Sequence, residues 1–168
     1  MLPEGAKYYS QKDALKKWVP SILLLPICIF FINNYPSYTL IDNFHLIVHE
    51  AGHLVFMFFG NFIHALGGTL MQLIIPVLLG FYFFSAKMQY LLQSSIVLLG
   101  HSFFNIAVYV SDARARRLPL LGNGKHDRYY LLGELGLRDS DIEIGIMFFA
   151  IGIIWFGVAL FLPLFARD

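Results

Sequence analysis

Four stretches of this chain contain no Asp, Glu, Lys or Arg: residues 18–41, 51–86, 88–111 and 144–166. A helix needs about 20 such residues to cross the hydrocarbon core of a bilayer, so each stretch is long enough to span. The pattern predicts an all-α protein, a polytopic bundle of membrane helices in one domain covering residues 1–168. At about 1.5 Å per residue the second stretch is much longer than one crossing. It is expected to fold back on itself, with the break from Gly60-Asn61 through Gly67-Gly68. Five spans follow, at about 18–33, 43–59, 69–85, 88–110 and 143–165.

With 58% hydrophobic and 14% charged residues, water is not the main solvent of such a chain. A formal charge of +1 carries no nucleic-acid signature, and the expected surroundings are a lipid bilayer and other membrane proteins. Cys28 has no second cysteine to pair with and reads as a small buried hydrophobe. The first span follows Lys7, Lys12, Lys16 and Lys17, but Asn33-Asn34-Tyr35-Pro36 offers no small-residue cleavage pattern, so it reads as a retained anchor.

With five spans the amino terminus and the polar loop 112–142 share one side, which then holds all the basic residues except Lys87 and Arg167. The positive-inside rule makes that side cytoplasmic in a multi-pass cell-membrane protein. If the second stretch crossed only once, the basic residues would divide evenly. Within the loop, Pro119 and Gly122-Asn123-Gly124 mark turns. Tyr129 to Leu132 with Leu135 predict a short amphipathic helix on the membrane surface, and Asp139-Ser140-Asp141 an N-terminal cap for the last span.

The chemistry lies in His49-Glu50-Ala51-Gly52-His53. Residues four apart sit about 40° apart around a helix, so His49 and His53 can direct two imidazoles at one ion. Glu50, on the adjacent face, is placed to act as a general base on water activated by that ion. Two histidines and a glutamate are costly in an apolar span and are placed there mainly for function. The structural alternative is a polar packing cluster or an element of an ion pathway. His45, one turn earlier, reads as an interfacial histidine, and His64 as structural.

A hydrolytic Zn2+ site needs a third protein ligand. His101, Asn105 and Asp112 share one face of the fourth span, and Asp112 is the preferred ligand because its depth matches that of His53. His101 lies about 16 Å deeper than Asp112, so the two cannot share an ion. The loop residue His126, in Lys125-His126-Asp127, is the rival donor, and the choice between Asp112 and His126 stays open.

These residues resemble the site-2 protease family of intramembrane zinc peptidases, which carry a His-Glu-x-x-His on a membrane helix and an Asn-to-Asp motif near the end of a later one. The stretch from Asn105 to Asp112 corresponds to the second motif. The run from Asp112 to Gly122, followed by His126-Asp127, looks like that of small bacterial membrane proteins distantly related to the family. The resemblance implies zinc held by His49, His53 and Asp112, Glu50 as catalytic base, and Asn105 positioning substrate or the ligand. It also implies a membrane protein substrate, cut within or at the edge of the membrane. The second reading is a non-catalytic metal-binding membrane protein, such as a transporter subunit or an inactive partner-binding relative. The third is a multi-histidine oxygenase, disfavoured because only six histidines are present and none are adjacent. The sequence sets no oligomeric state.

Overall fold

The computed structural model describes residues 11–118 and 127–165. Its helices are α1 (Gln11–Asn34), α2 (Leu40–Phe56), α3 (Gly60–Ser85), α4 (Gln89–Ser111), α5 (Asp127–Glu134) and α6 (Asp141–Phe161), with no strand among the described residues. Four segments are long and apolar enough to cross a membrane: Lys16–Asn34, Leu40–Ser85, Gln89–Ser111 and Arg138–Leu164. The exterior is apolar, with Leu40, Ile47, Phe58, Phe81 and Phe165 strongly exposed, while Asp42, His45, Gln72, Gln93, His101 and Asn105 are buried. That inverts the usual arrangement of a water-soluble domain.

The long second stretch does fold back, but at a shorter break than the glycines suggested. A 3-10 turn at Met57–Phe59 leads into Gly60, whose φ of +84° reverses the chain. From there α3 runs unbroken through Gly67 and Gly68. Those two glycines serve packing instead. A Cβ on Gly52 would strike the carbonyl of Gly67, one on Gly67 would come within 2.7 Å of Phe56 Cβ, and one on Gly68 would enter the His49 ring. Small residues at a helix seam let backbones approach closely. The register of the α2–α3 hairpin is antiparallel: His45 lies opposite Gln72, His49 opposite Gly68 and His53 opposite His64.

Helix α4 is the axis of the bundle. It packs antiparallel to α6 through Gly100 and Gly152, where a Cβ on Gly100 would lie 3.0 Å from the Gly152 carbonyl. Gln93 Nε2 donates to Ser21 Oγ at 2.9 Å and to the Ala159 carbonyl at 2.7 Å, tying α1, α4 and α6 together. Cys28 is buried here beside Val97, Phe104 and Phe156, as expected.

The direction of α1 differs from expectation. Ser21 meets Gln93, the Phe31 ring lies 4.2 Å from His101, and the Tyr35 ring lies 5.7 Å from Phe104, so α1 runs parallel to α4. The start of α1 therefore lies at the end of the bundle opposite the 112–140 segment, not beside it. Lys16 and Lys17 fall with Lys87 at one end, and Arg114, Arg116, Arg117, Arg128 and Arg138 at the other. Among these residues the division is three against five, too even to orient the chain. The physical reason is that residues 35–39 carry α1 onward into α2 in the same direction instead of forming a hairpin.

Helix α5 matches the amphipathic helix expected near Tyr129, but it packs against the bundle: Leu131 and Leu132 are buried, Leu132 against Ile106, Val110 and Ala113. At the start of α6, Ser140 makes no side-chain cap. The buried Asp141 carboxylate does that work, accepting from Ile142 N at 2.9 Å and from Arg114 Nε at 2.8 Å.

Candidate metal centre

His49 and His53 sit one turn apart on the face of α2 that meets α3. The glycine seam lets the His49 ring lie on the Gly68 backbone and lets His53 Nδ1 donate to the His64 carbonyl at 2.8 Å. The two Nε2 atoms are 3.1 Å apart. Asp127, the first residue of α5, brings Oδ2 to 3.1 Å from His53 Nε2 and 3.5 Å from His49 Nε2. Among the described residues this is the one group of His, Cys, Asp or Glu with metal-ligand spacing.

Hydrogen-bond partners fix the tautomers. Arg128 NH1 can only donate, and it lies 3.1 Å from His49 Nε2, so that nitrogen accepts. His53 spends its Nδ1 proton on His64, leaving Nε2 bare in the neutral ring. With His53 neutral, two imidazole lone pairs and a carboxylate oxygen converge on one point, an arrangement relieved by a metal ion or by a proton that His53 Nε2 shares with Asp127. Tetrahedral zinc with ligands at about 2.0–2.2 Å holds them about 3.3–3.6 Å apart, close to the triangle described here. The donor set fits such an ion. One feature departs from the usual pattern, in which each metal-bound histidine donates its other N–H: His49 Nδ1 is buried without a partner, and its ring rests on the Gly68 backbone.

Opposite charges meet within the site. Burial pushes the Asp127 carboxyl up, but its close contacts with the His49 and His53 rings and the nearby Arg128 charge outweigh it and hold the group below the ordinary carboxylate range. Burial pulls the Arg128 guanidinium down, opposed by Asp127, Tyr109 and Glu50. Glu50 itself is exposed on α2, near enough for its charge to act on Arg128.

Behind the histidines runs a directional chain of buried amides. Asp42 Oδ2 accepts from Thr39 N and Thr39 Oγ1, each at 2.7 Å, and its Oδ1 accepts from Asn105 Nδ2 at 2.7 Å. Asn105 Oδ1 must then accept from Gln72 Nε2, again at 2.7 Å, which turns Gln72 Oε1 toward Arg128 NH2 at 3.5 Å. A carboxylate can only accept, so Asp42 sets the orientation of every amide as far as the guanidinium. A cavity of about 310 Å³ borders this chain at Asp42, His101, Asn105 and Tyr109, where α1 gives way to α2.

The structure brings His49 and His53 together as the sequence predicts, and separates them from the expected third ligand. Asp112 ends α4, and its carboxylate accepts from Arg117 N at 3.0 Å and Leu118 N at 2.9 Å, closing the turn that follows. The oxygen at the histidines belongs to Asp127 instead. His126 lies outside the described residues. Asn105 joins the amide chain and not the ligand group. His45 is fully buried, not interfacial, and its Nε2 lies 3.0 Å from Nδ1 of His101 with the rings stacked. His64 contributes its carbonyl.

Sequence reasoning missed Asp42, Gln72, Asp127 and Arg128. Gln72 and Arg128 carried a usable signal: the first is a strong polar group deep in an apolar run, and the second adjoins the acid that closes the site.

An all-helical bundle with membrane-length apolar segments, closed at one end over two histidines and a carboxylate, is the class of protein this fold and site define. Comparison with protein-family models, curated proteins and solved structures finds no match, so the chemistry of the site carries the functional argument.

Proposed function

We propose that the protein is a zinc-dependent endopeptidase that hydrolyses a peptide bond at the edge of, or within, a cell membrane. The observation that carries this reading is the convergence of the His49, His53 and Asp127 lone pairs beside Glu50. His49, His53 and Asp127 would hold the ion, Asp127 taking the place first given to Asp112. Held by these residues, zinc would supply a Lewis acid for the peptide carbonyl and a water whose pKa is lowered to about 7. Glu50 takes a proton from the attacking water and passes it to the leaving nitrogen. Two histidines with one carboxylate also suit non-haem iron. The glutamate directly after His49 favours hydrolysis, because a base at that place has work to do only in activating water.

The location supports a membrane-edge substrate. His49 and His53 lie on an apolar segment of membrane-spanning length, whereas Asp127 and Arg128 come from a polar helix outside those segments. A peptide bond reaching this place leaves the hydrocarbon and meets water, both of which hydrolysis requires.

The test is metal content, by elemental analysis of detergent-purified protein, with cleavage of a reconstituted membrane substrate measured alongside. Near-stoichiometric zinc in the native chain, lost in His49→Ala and Asp127→Ala and kept in Asp112→Ala and Glu50→Gln, is the expected pattern. Glu50→Gln should abolish cleavage. Bound metal with cleavage indifferent to Glu50→Gln would move the protein to the non-catalytic metal-binding class. No metal in the native chain after reconstitution would end the reading.

A further inference from the structure

Arg128 is an unusual neighbour for a metal centre. It is buried, its NH1 lies 3.1 Å from His49 Nε2, and its Nε has no hydrogen-bond partner. His49 Nε2 has a single lone pair and cannot serve both a metal ion and NH1. Ion binding therefore frees the N–H groups of NH1 to donate toward the centre, while NH2 stays turned to Gln72. The charges call for the same occupant. A dication and a guanidinium stand against the Asp127 and Glu50 carboxylates, leaving one positive charge over. Asp42 is screened by two intervening amides. A buried surplus of that sign is relieved by an anion.

We propose that Arg128 is the anion-binding group of this centre, donating from NH1 to the negatively charged oxygen that develops on the substrate carbonyl, and that the site therefore takes oxyanion ligands. The inference rests on the metal-hydrolase reading above. When the water oxygen bonds to the carbonyl carbon, the π pair of the C=O moves onto its oxygen, and Arg128 donates to that charge. When the pair returns, the C–N bond breaks, and the nitrogen leaves with the proton carried by Glu50 and the second proton of the water. The products are a carboxylate and an ammonium group. Preorganised donors aimed at a developing oxyanion lower such barriers in a site shielded from water. Gln72, oriented through Asn105 by Asp42, is the positioning residue, since its Oε1 faces NH2 of the fork.

The probe is inorganic phosphate, titrated by calorimetry into the zinc-loaded full chain in detergent, with zinc content measured on the same samples. The native protein should bind phosphate. Arg128→Gln should keep its zinc and bind phosphate about 10- to 100-fold more weakly, the loss of one or two charge-assisted hydrogen bonds. Arg128→Lys, which keeps the charge without the planar fork, should fall between them. Equal phosphate affinity in native and Arg128→Gln protein, or no phosphate binding by the zinc-loaded native chain, would overturn the inference and leave the metal centre standing. Loss of zinc from both Arg128 variants would also overturn it, making Arg128 a buttress of His49. Absence of zinc from the native chain would instead remove the metal-centre reading itself.

Discussion

At the scale of single residues the site depends on what is absent at Gly68 and on the charge type at Asp42. A methyl group at position 68 would occupy the His49 ring. Overpacking of this kind costs about 1–3 kcal/mol, and here it is relieved by turning the imidazole away from the ion. Gly68→Ala should therefore weaken zinc binding at least about tenfold, read by competition with a metal indicator, while the helical content stays unchanged. Asp42→Asn probes the amide chain. All three groups facing the carboxylate are donors, so an amide there sets N–H against N–H or forces Asn105 and Gln72 to turn over. One unsatisfied buried group costs about 1–3 kcal/mol. The variant should lose stability by that amount in detergent, keep its zinc, and bind phosphate more weakly. Unchanged phosphate affinity would separate the chain from Arg128. The two histidines were legible in the sequence because helical spacing alone brings them together. The carboxylate that joins them was not. Asp112 has the right depth, but five residues further on the chain turns back over its carboxylate, and a backbone turn of that kind leaves no mark in hydropathy.

At the scale of helices the glycines divide into those that turn the chain and those that let helices touch. Gly60 takes a positive φ, whereas Gly52, Gly67, Gly100 and Gly152 stand at helix contacts. A Cβ on Gly152 would lie 2.5 Å from the Phe104 ring and 2.7 Å from the Gly100 carbonyl, while one on Gly157 meets nothing within 4 Å. Gly152→Ala should destabilise the bundle by about 1–3 kcal/mol. Gly157→Ala, one helical turn and a half later, should be neutral or stabilising by up to about 1 kcal/mol through backbone entropy. Thermal inactivation of the two variants in one detergent compares them directly, and equal losses would contradict the close α4–α6 approach. The same distinction explains why the helices were legible and the hairpin turn was misplaced. A long charge-free run says that helix is needed, but Gly-Gly within it reads equally as a break or as a seam, and only the partner helix decides.

At the scale of the whole molecule, the centre joins two parts of the chain that differ in solvent. His49 and His53 belong to the apolar Leu40–Ser85 segment, and Asp127 to the polar stretch between α4 and α6. That junction was not readable from charge, because the run of basic residues oriented the chain only if α1 and α2 formed a hairpin. Their parallel course weakens that bias and leaves the site itself as one tie between the polar segment and the bundle. Apart from it, α5 is held by the buried Leu131 and Leu132 and by Arg128. An ion at a hundred times its Kd contributes about 2.7 kcal/mol to whatever state binds it, roughly a hundredfold in an opening equilibrium. Under the proposed function, chelation should therefore speed hydrogen exchange of the α5 amides by up to about that factor and expose the 112–140 segment to added protease. Exchange in the Gln93–Gly100 part of α4 and in the part of α6 that packs on it, away from the centre, should stay the same. Asp127→Ala should reproduce the loosened state with metal present. Exchange in α5 that is blind to both chelation and Asp127→Ala would mean that Leu131 and Leu132 alone dock this helix, and that Asp127 is no ligand.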